Sequence, residues 1–161
     1  MSNETREELL QEVSREVAEF QSAADLVDEA ASARLGINRT DLRCLGLLFV
    51  RGPLTAGQLA QASGLSPGAT TTALDRLERA GYARRVRDPS DRRGILVELT
   101  PEARRLIDEI YGPIGRAGLA RLSSYTDEEL VLLRDFLREG RALQVEHAAL
   151  IRAGQAAPRP E

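Results

Sequence analysis

The residues best suited to chemistry lie between Ser66 and Arg93, and their types suit contact with a polyanion rather than bond-making. Ser66 can accept a hydrogen bond from a first-turn amide and Pro67 fits the first helical position, so the pair reads as a helix start. Thr70, Ala73, Leu74 and Leu77 then recur at helical spacing and predict a core-facing stripe, with Gly81 as the stop. Gly68, Ala69, Thr71, Thr72 and Arg76 are left pointing outward. Small side chains let a helix sink into the major groove of a duplex. Threonine brings a hydroxyl for phosphates or base edges and a methyl for thymine, and arginine reaches guanine or phosphate. A merely solvated face is the plainer reading of Thr71, Thr72 and Arg76, and the segment that follows favours contact.

That segment reads as a ribbon. Ala83 to Arg87 and Ile95 to Leu99 have strand character, with apolar Val86, Ile95, Val97 and Leu99 among Arg and Glu. Between them, Asp88–Pro89 favours a turn and Gly94 tolerates unusual backbone angles. The loop tip carries Asp91, Arg92 and Arg93. Arginines at the tip of a hairpin suit a narrow minor groove, where the negative potential is strongest. An exposed loop pairing its arginines with Asp88 and Asp91 is the alternative, and the two are compatible, since an aspartate can orient an arginine. Asp75 would repel phosphate and is expected to bond Arg76, Arg79 or a wing arginine.

The elements that must hold these residues are mostly helical. A short helix at Thr55 to Ala62 and a turn at Gly64 precede the Ser66 helix, giving helix-turn-helix followed by wing. Glu4 to Leu35 reads as one long helix in which Leu10, Val13, Val17, Phe20, Ala24, Val27 and Ala31 form a sustained heptad seam, ended by Gly36. Asn38 or Thr40 can cap a second helix to about Arg51, with Leu42, Leu45, Leu48 and Phe49 inward. Leu54 is a candidate third strand. Pro101 opens a helix that Gly112–Pro113 should kink or break. Thr126 with Glu129 forms a capping box for a last helix to about Ile151.

The run Leu77-Glu78-Arg79-Ala80-Gly81-Tyr82, then Arg85, then Asp88-Pro89-Ser90-Asp91-Arg92-Arg93, then Val97-Glu98-Leu99-Thr100, resembles the MarR family of winged helix-turn-helix transcriptional regulators. The resemblance covers roughly Leu10 to Leu150; Glu102-Ala103 after Pro101 departs from the glycine many members carry. It implies a mainly α fold with a small β-hairpin wing (α+β) and a homodimer built from the first and last helices. It also implies recognition of a pseudo-palindromic operator in double-stranded DNA. The expected DNA-binding residues are Ser66, Gly68, Ala69, Thr71, Thr72, Arg76, Arg85, Asp91, Arg92 and Arg93, with Arg93 in the minor groove and Asp91 fixing it. The expected division is a dimerisation helix over 1–36, the winged domain over 37–100, dimerisation helices over 101–152 and a disordered tail over 153–161. A small anionic or aromatic effector is expected between dimer helices and winged domain, lined by the first helix, the second and the one after Pro101. Its residues are not assigned, although Arg43 could meet an anion.

Composition frames these readings. With 161 residues the chain can bury a real core. A net charge of −3 argues at first against a nucleic-acid partner. However, Arg76 to Arg93 holds seven Arg against Glu78, Asp88 and Asp91, a net of +4, which leaves −7 for the rest. All 22 basic residues are Arg, which reads as a coding bias, so the clustering carries the argument and the residue type does not. One Cys and one His cannot make a usual zinc site, no phosphate loop or nucleophile motif stands out, and neither an enzyme nor a cofactor is expected. Cys44 reads as a small buried hydrophobe rather than a sensor thiol, and His147 as a surface or interface residue. No signal-like or membrane-length apolar run is present, so a cytoplasmic location is expected. The runner-up function is a winged helix that docks an acidic protein partner.

Overall fold

The computed structural model describes residues 5–91 and 94–154. Its order is α1 (Arg6–Leu35), α2 (Arg39–Arg51), α3 (Ala56–Ser63), α4 (Pro67–Arg79), β1 (Ala83–Arg87), β2 (Ile95–Leu99), α5 (Pro101–Leu122) and α6 (Asp127–Arg152). The architecture is mainly α with a two-stranded wing, as the sequence implies.

Each boundary has a local cause. Thr5 caps α1 reciprocally with Glu8, and Gly36 closes it in the left-handed region at φ 66°. Asn38, the first of the two expected caps, accepts the Asp41 N–H at 2.9 Å to start α2. Thr55 and Gln58 form a second capping box at α3, and Gly64 ends that helix. Ser66 caps α4 by accepting the Ala69 N–H at 3.2 Å, with Pro67 in the first turn. After α4, Tyr82 N–H returns to Leu77 O at 2.9 Å while Gly81 takes φ 76°. Thr100 accepts the Ala103 N–H at 3.2 Å to start α5.

β1 and β2 pair antiparallel with Ala83 opposite Leu99, Arg85 opposite Val97 and Arg87 opposite Ile95. Leu54 joins from the other side as a single bridge: its N–H donates to Val97 O at 3.0 Å and its carbonyl oxygen accepts the Val97 N–H at 2.8 Å. The expected third strand is therefore one residue long. Ala83, Val97 and Leu99 are buried, while Ile95 is exposed near the tip.

The chain divides into two compact units, Met1–Ile110 and Tyr111–Glu161. In the first, Leu42, Leu45 and Leu48 of α2 and Leu59 of α3 are buried with Ala73, Leu74 and Leu77 of α4. Ala31 and Leu35 from α1 and Ala103 and Ile107 from the start of α5 join them. Tyr82 ties this core to α1, its hydroxyl donating to Leu35 O at 2.9 Å. In the second unit α6 has no buried residue.

Of the kink or break expected at Gly112–Pro113, the break does not occur: α5 runs unbroken from Pro101 to Leu122 with the proline inside. Proline removes one rung, the bond its own N–H would have made one turn back, and the turns on either side keep theirs. The expected start at Glu4, and most of the expected tail, lie outside the described residues.

Candidate nucleic-acid interface

α4 presents the face that its spacing predicts. Thr70, Ala73, Leu74 and Leu77 are buried, and Ser66, Gly68, Ala69, Thr71 and Thr72 are exposed. The threonine hydroxyls donate into their own helix: Thr71 to Pro67 O at 3.1 Å and Thr72 to Gly68 O at 3.0 Å. What they offer outward is a lone pair and a methyl.

The two arginines expected beside them are engaged elsewhere. Arg76 is turned from the outer face onto α2, where Nε donates to Asp41 Oδ2 at 2.8 Å and Nη2 to Oδ1 at 2.6 Å. That Asp41 hydrogen bond holds the Arg76 guanidinium above its ordinary pKa. Arg85, in β1, reaches back to α4, with Nη2 2.9 Å from Asp75 Oδ1, Nη1 on Glu78 and its backbone N–H on Glu78 Oε1 at 3.1 Å. Asp75 thus takes the wing arginine among its three expected partners. Arg84 pairs with Glu98 across the ribbon at 2.7 Å.

Arg79 and Arg87 are exposed and, among the described residues, make no ion pair. Sequence reasoning counted both in the basic cluster without assigning either a contact. The signal was available for Arg79, which falls two turns beyond Thr72 on the outer stripe of α4.

The wing turn is built around Asp88. Its Oδ1 accepts the Ser90 hydroxyl at 2.6 Å and the Ser90 N–H at 2.8 Å, which together hold its carboxyl below the usual aspartate range. Asp88 N–H donates to Gly94 O, and Gly94 N–H to Asp91 O, both at 2.9 Å. A methyl added at Gly94 would lie 2.8 Å from Asp88 Cβ, so close approach, rather than an unusual backbone angle, explains this glycine. Asp91 is exposed, and Arg92 and Arg93 lie outside the described residues.

Cys44 is fully buried, and burial pushes its thiol pKa up, away from the lowered values of reactive thiols. His147 is exposed on α6. Among the described residues no group of His, Cys, Asp and Glu could hold a metal ion, and no helix is long and apolar enough to cross a membrane.

Comparison with known proteins agrees with this geometry. The MarR family profile matches residues 37–95. The HTH-type transcriptional regulator YcgE of Bacillus subtilis is 36% identical over 130 residues, covering 81% of this chain and 83% of the relative. The multiple antibiotic resistance protein MarR of Salmonella typhimurium is 29% identical over 106 residues, 65% of this chain and 74% of that one. Among solved structures, a MarR family protein from Bacillus stearothermophilus superposes with a TM-score of 0.63 at 25% identity, covering 88% of this chain and 99% of that one. NadR in complex with 4-hydroxyphenylacetate gives a TM-score of 0.56 at 25% identity, over 86% and 94%.

Proposed function

We propose that this chain, which belongs to the MarR family of DNA-binding transcriptional regulators, acts as a homodimeric repressor of a pseudo-palindromic operator and is released by a small anionic or aromatic ligand. The observation that carries the reading is the outer face of α4. It is exposed, small and hydroxylated at Gly68, Ala69, Thr71 and Thr72, capped at Ser66 and followed by an antiparallel ribbon. Ser66, Gly68, Ala69, Thr71 and Thr72 meet the major groove, and the loop holding Asp91, Arg92 and Arg93 meets the minor groove.

Two further features support the finer parts. The seam of α1 is open where Leu10, Val13 and Phe20 lie exposed, which suits a second copy of the chain. A two-fold dimer presents two such heads, so half-sites should be about 10 base pairs apart, centre to centre. An aromatic acid is the natural first effector to try, because a structural relative was solved with 4-hydroxyphenylacetate.

The deciding experiment is a gel shift of the purified protein on a duplex spanning the DNA upstream of its own gene, across salt concentrations, with and without 4-hydroxyphenylacetate and related acids. A retarded complex whose affinity falls steeply with salt is expected. Arg93→Ala should weaken it while leaving the oligomer intact. Absence of any complex at low salt rejects the operator reading. A complex that every acid leaves untouched rejects the effector.

A further inference from the structure

Asp41 is the one acidic or basic residue buried among the described residues, its side chain only 3% exposed. It sits in the first turn of α2, where its own N–H is taken by Asn38, and both carboxylate oxygens face Arg76. The two residues are 35 positions apart in sequence, so this bidentate pair fastens the start of α2 to the middle of α4. The Arg76 side chain is 35% exposed and lies one turn beyond exposed Thr72. To grip a guanine edge with both arms of its fork, Arg76 would have to abandon Asp41 and leave a buried carboxylate without a counter-charge, which is strongly unfavourable.

We infer that Arg76 is a positioning residue: paired with Asp41, it sets the seat of α4 on α2, and with it the aim of Thr71 and Thr72, without touching DNA. The inference deepens the DNA-binding reading and rests on it for its consequence, though not for the pairing itself. A charged fork that locks a helix differs from one that reads a base in what its loss changes. Loss of a lock blurs discrimination between sequences. Loss of a phosphate contact lowers affinity for all sequences and reduces the salt slope by about one.

The test compares Arg76→Gln, Arg76→Lys, Asp41→Asn and the double variant Asp41→Asn/Arg76→Gln. Each is titrated against the upstream duplex and a random duplex of equal length, at several salt concentrations. Each single variant is expected to lose preference for the upstream duplex by about tenfold, the scale of one lost base contact. The salt slope should stay as in the parent, and the double variant should be no worse than either single one. Arg76→Lys should fail to rescue, because lysine keeps the charge and lacks the planar fork. The inference is overturned if Lys restores binding, if Asp41→Asn binds like the parent, or if the slope falls by about one in Arg76→Gln. Should Asp41→Asn not fold, the slope and the lysine variant decide alone. Hydrogen exchange of the α4 amides supplies a readout without DNA: exchange should quicken in every variant, and unchanged exchange overturns the lock. If the parent shifts neither duplex, the DNA-binding reading of this face fails, while hydrogen exchange still decides the pair.

Discussion

At the scale of single residues, α4 is specified by what its hydroxyls do. Thr70, Thr71 and Thr72 donate to the carbonyls of Ser66, Pro67 and Gly68; Thr70 is buried, while Thr71 and Thr72 leave lone pairs and methyls outward. Such a face matches the amino groups of adenine and cytosine and the thymine methyl better than the acceptor edge of guanine. Ser66 supports the same turn through its bond to the Ala69 N–H. Ser66→Ala should therefore cost about 1 kcal/mol in urea unfolding, and Ser66→Gly only a few tenths. Equal losses in the two would show that the hydroxyl is not the cap. The inner and outer faces of α4 could be read from spacing alone, whereas the fate of Arg76 could not. Asp41 lies in the first turn of α2, where the helix dipole favours a negative charge. Yet it sits four and seven positions before Leu45 and Leu48, on the stripe that goes inward. A carboxylate on a buried stripe demands a cation, and only the packing of α2 on α4 shows that Arg76 supplies it.

At the scale of elements, the wing is tied to α4 as well as to its own hairpin. Val97 bonds Leu54, so Arg85 opposite it turns its N–H away from β2 and toward Glu78 of α4. The guanidinium then covers Glu78 and Asp75, the latter 49% exposed at the edge that would meet phosphate. Removing the arginine uncovers two negative charges there. Arg85→Ala should weaken binding to the upstream duplex, and adding Asp75→Asn and Glu78→Gln to it should restore part of the loss, measured by fluorescence anisotropy. A triple variant as weak as the single one would mean that Arg85 itself holds a phosphate. The strand limits, the Ser66 and Asn38 caps and the glycine stops were legible because each is decided within a few residues. Leu54 beside the ribbon and a wing arginine among the partners of Asp75 were expected, whereas Glu78 as the partner of Arg85 was hidden because tertiary packing brings the two together. At Pro113 no break follows, because the proline removes one bond while the neighbouring turns keep theirs.

At the scale of the molecule, the open question is what covers the apolar surface that the chain leaves in water. Phe20 is 72% exposed on α1, with Leu9, Leu10, Val13 and Leu26 also exposed. On α6, Leu132, Phe136, Leu137, Leu143, Val145 and Ile151 are exposed and no residue is buried. Full burial of one such side chain favours association by about 1.5–3 kcal/mol. The α1 seam becomes buried only near its end, at Ala31 and Leu35, so its earlier turns are available to a second copy. The parent protein should sediment as a dimer at micromolar concentration, and its unfolding temperature should fall on dilution, because dissociation is then part of unfolding. Leu10→Glu/Phe20→Glu places two charges on the seam without touching α2, α3 or α4. It should sediment as a monomer and lose operator binding while its circular dichroism stays largely helical. A parent that is monomeric at every concentration tested, or a double variant that still dimerises and binds the upstream duplex, would remove α1 from the interface and leave a protein whose two heads cannot be set by that helix.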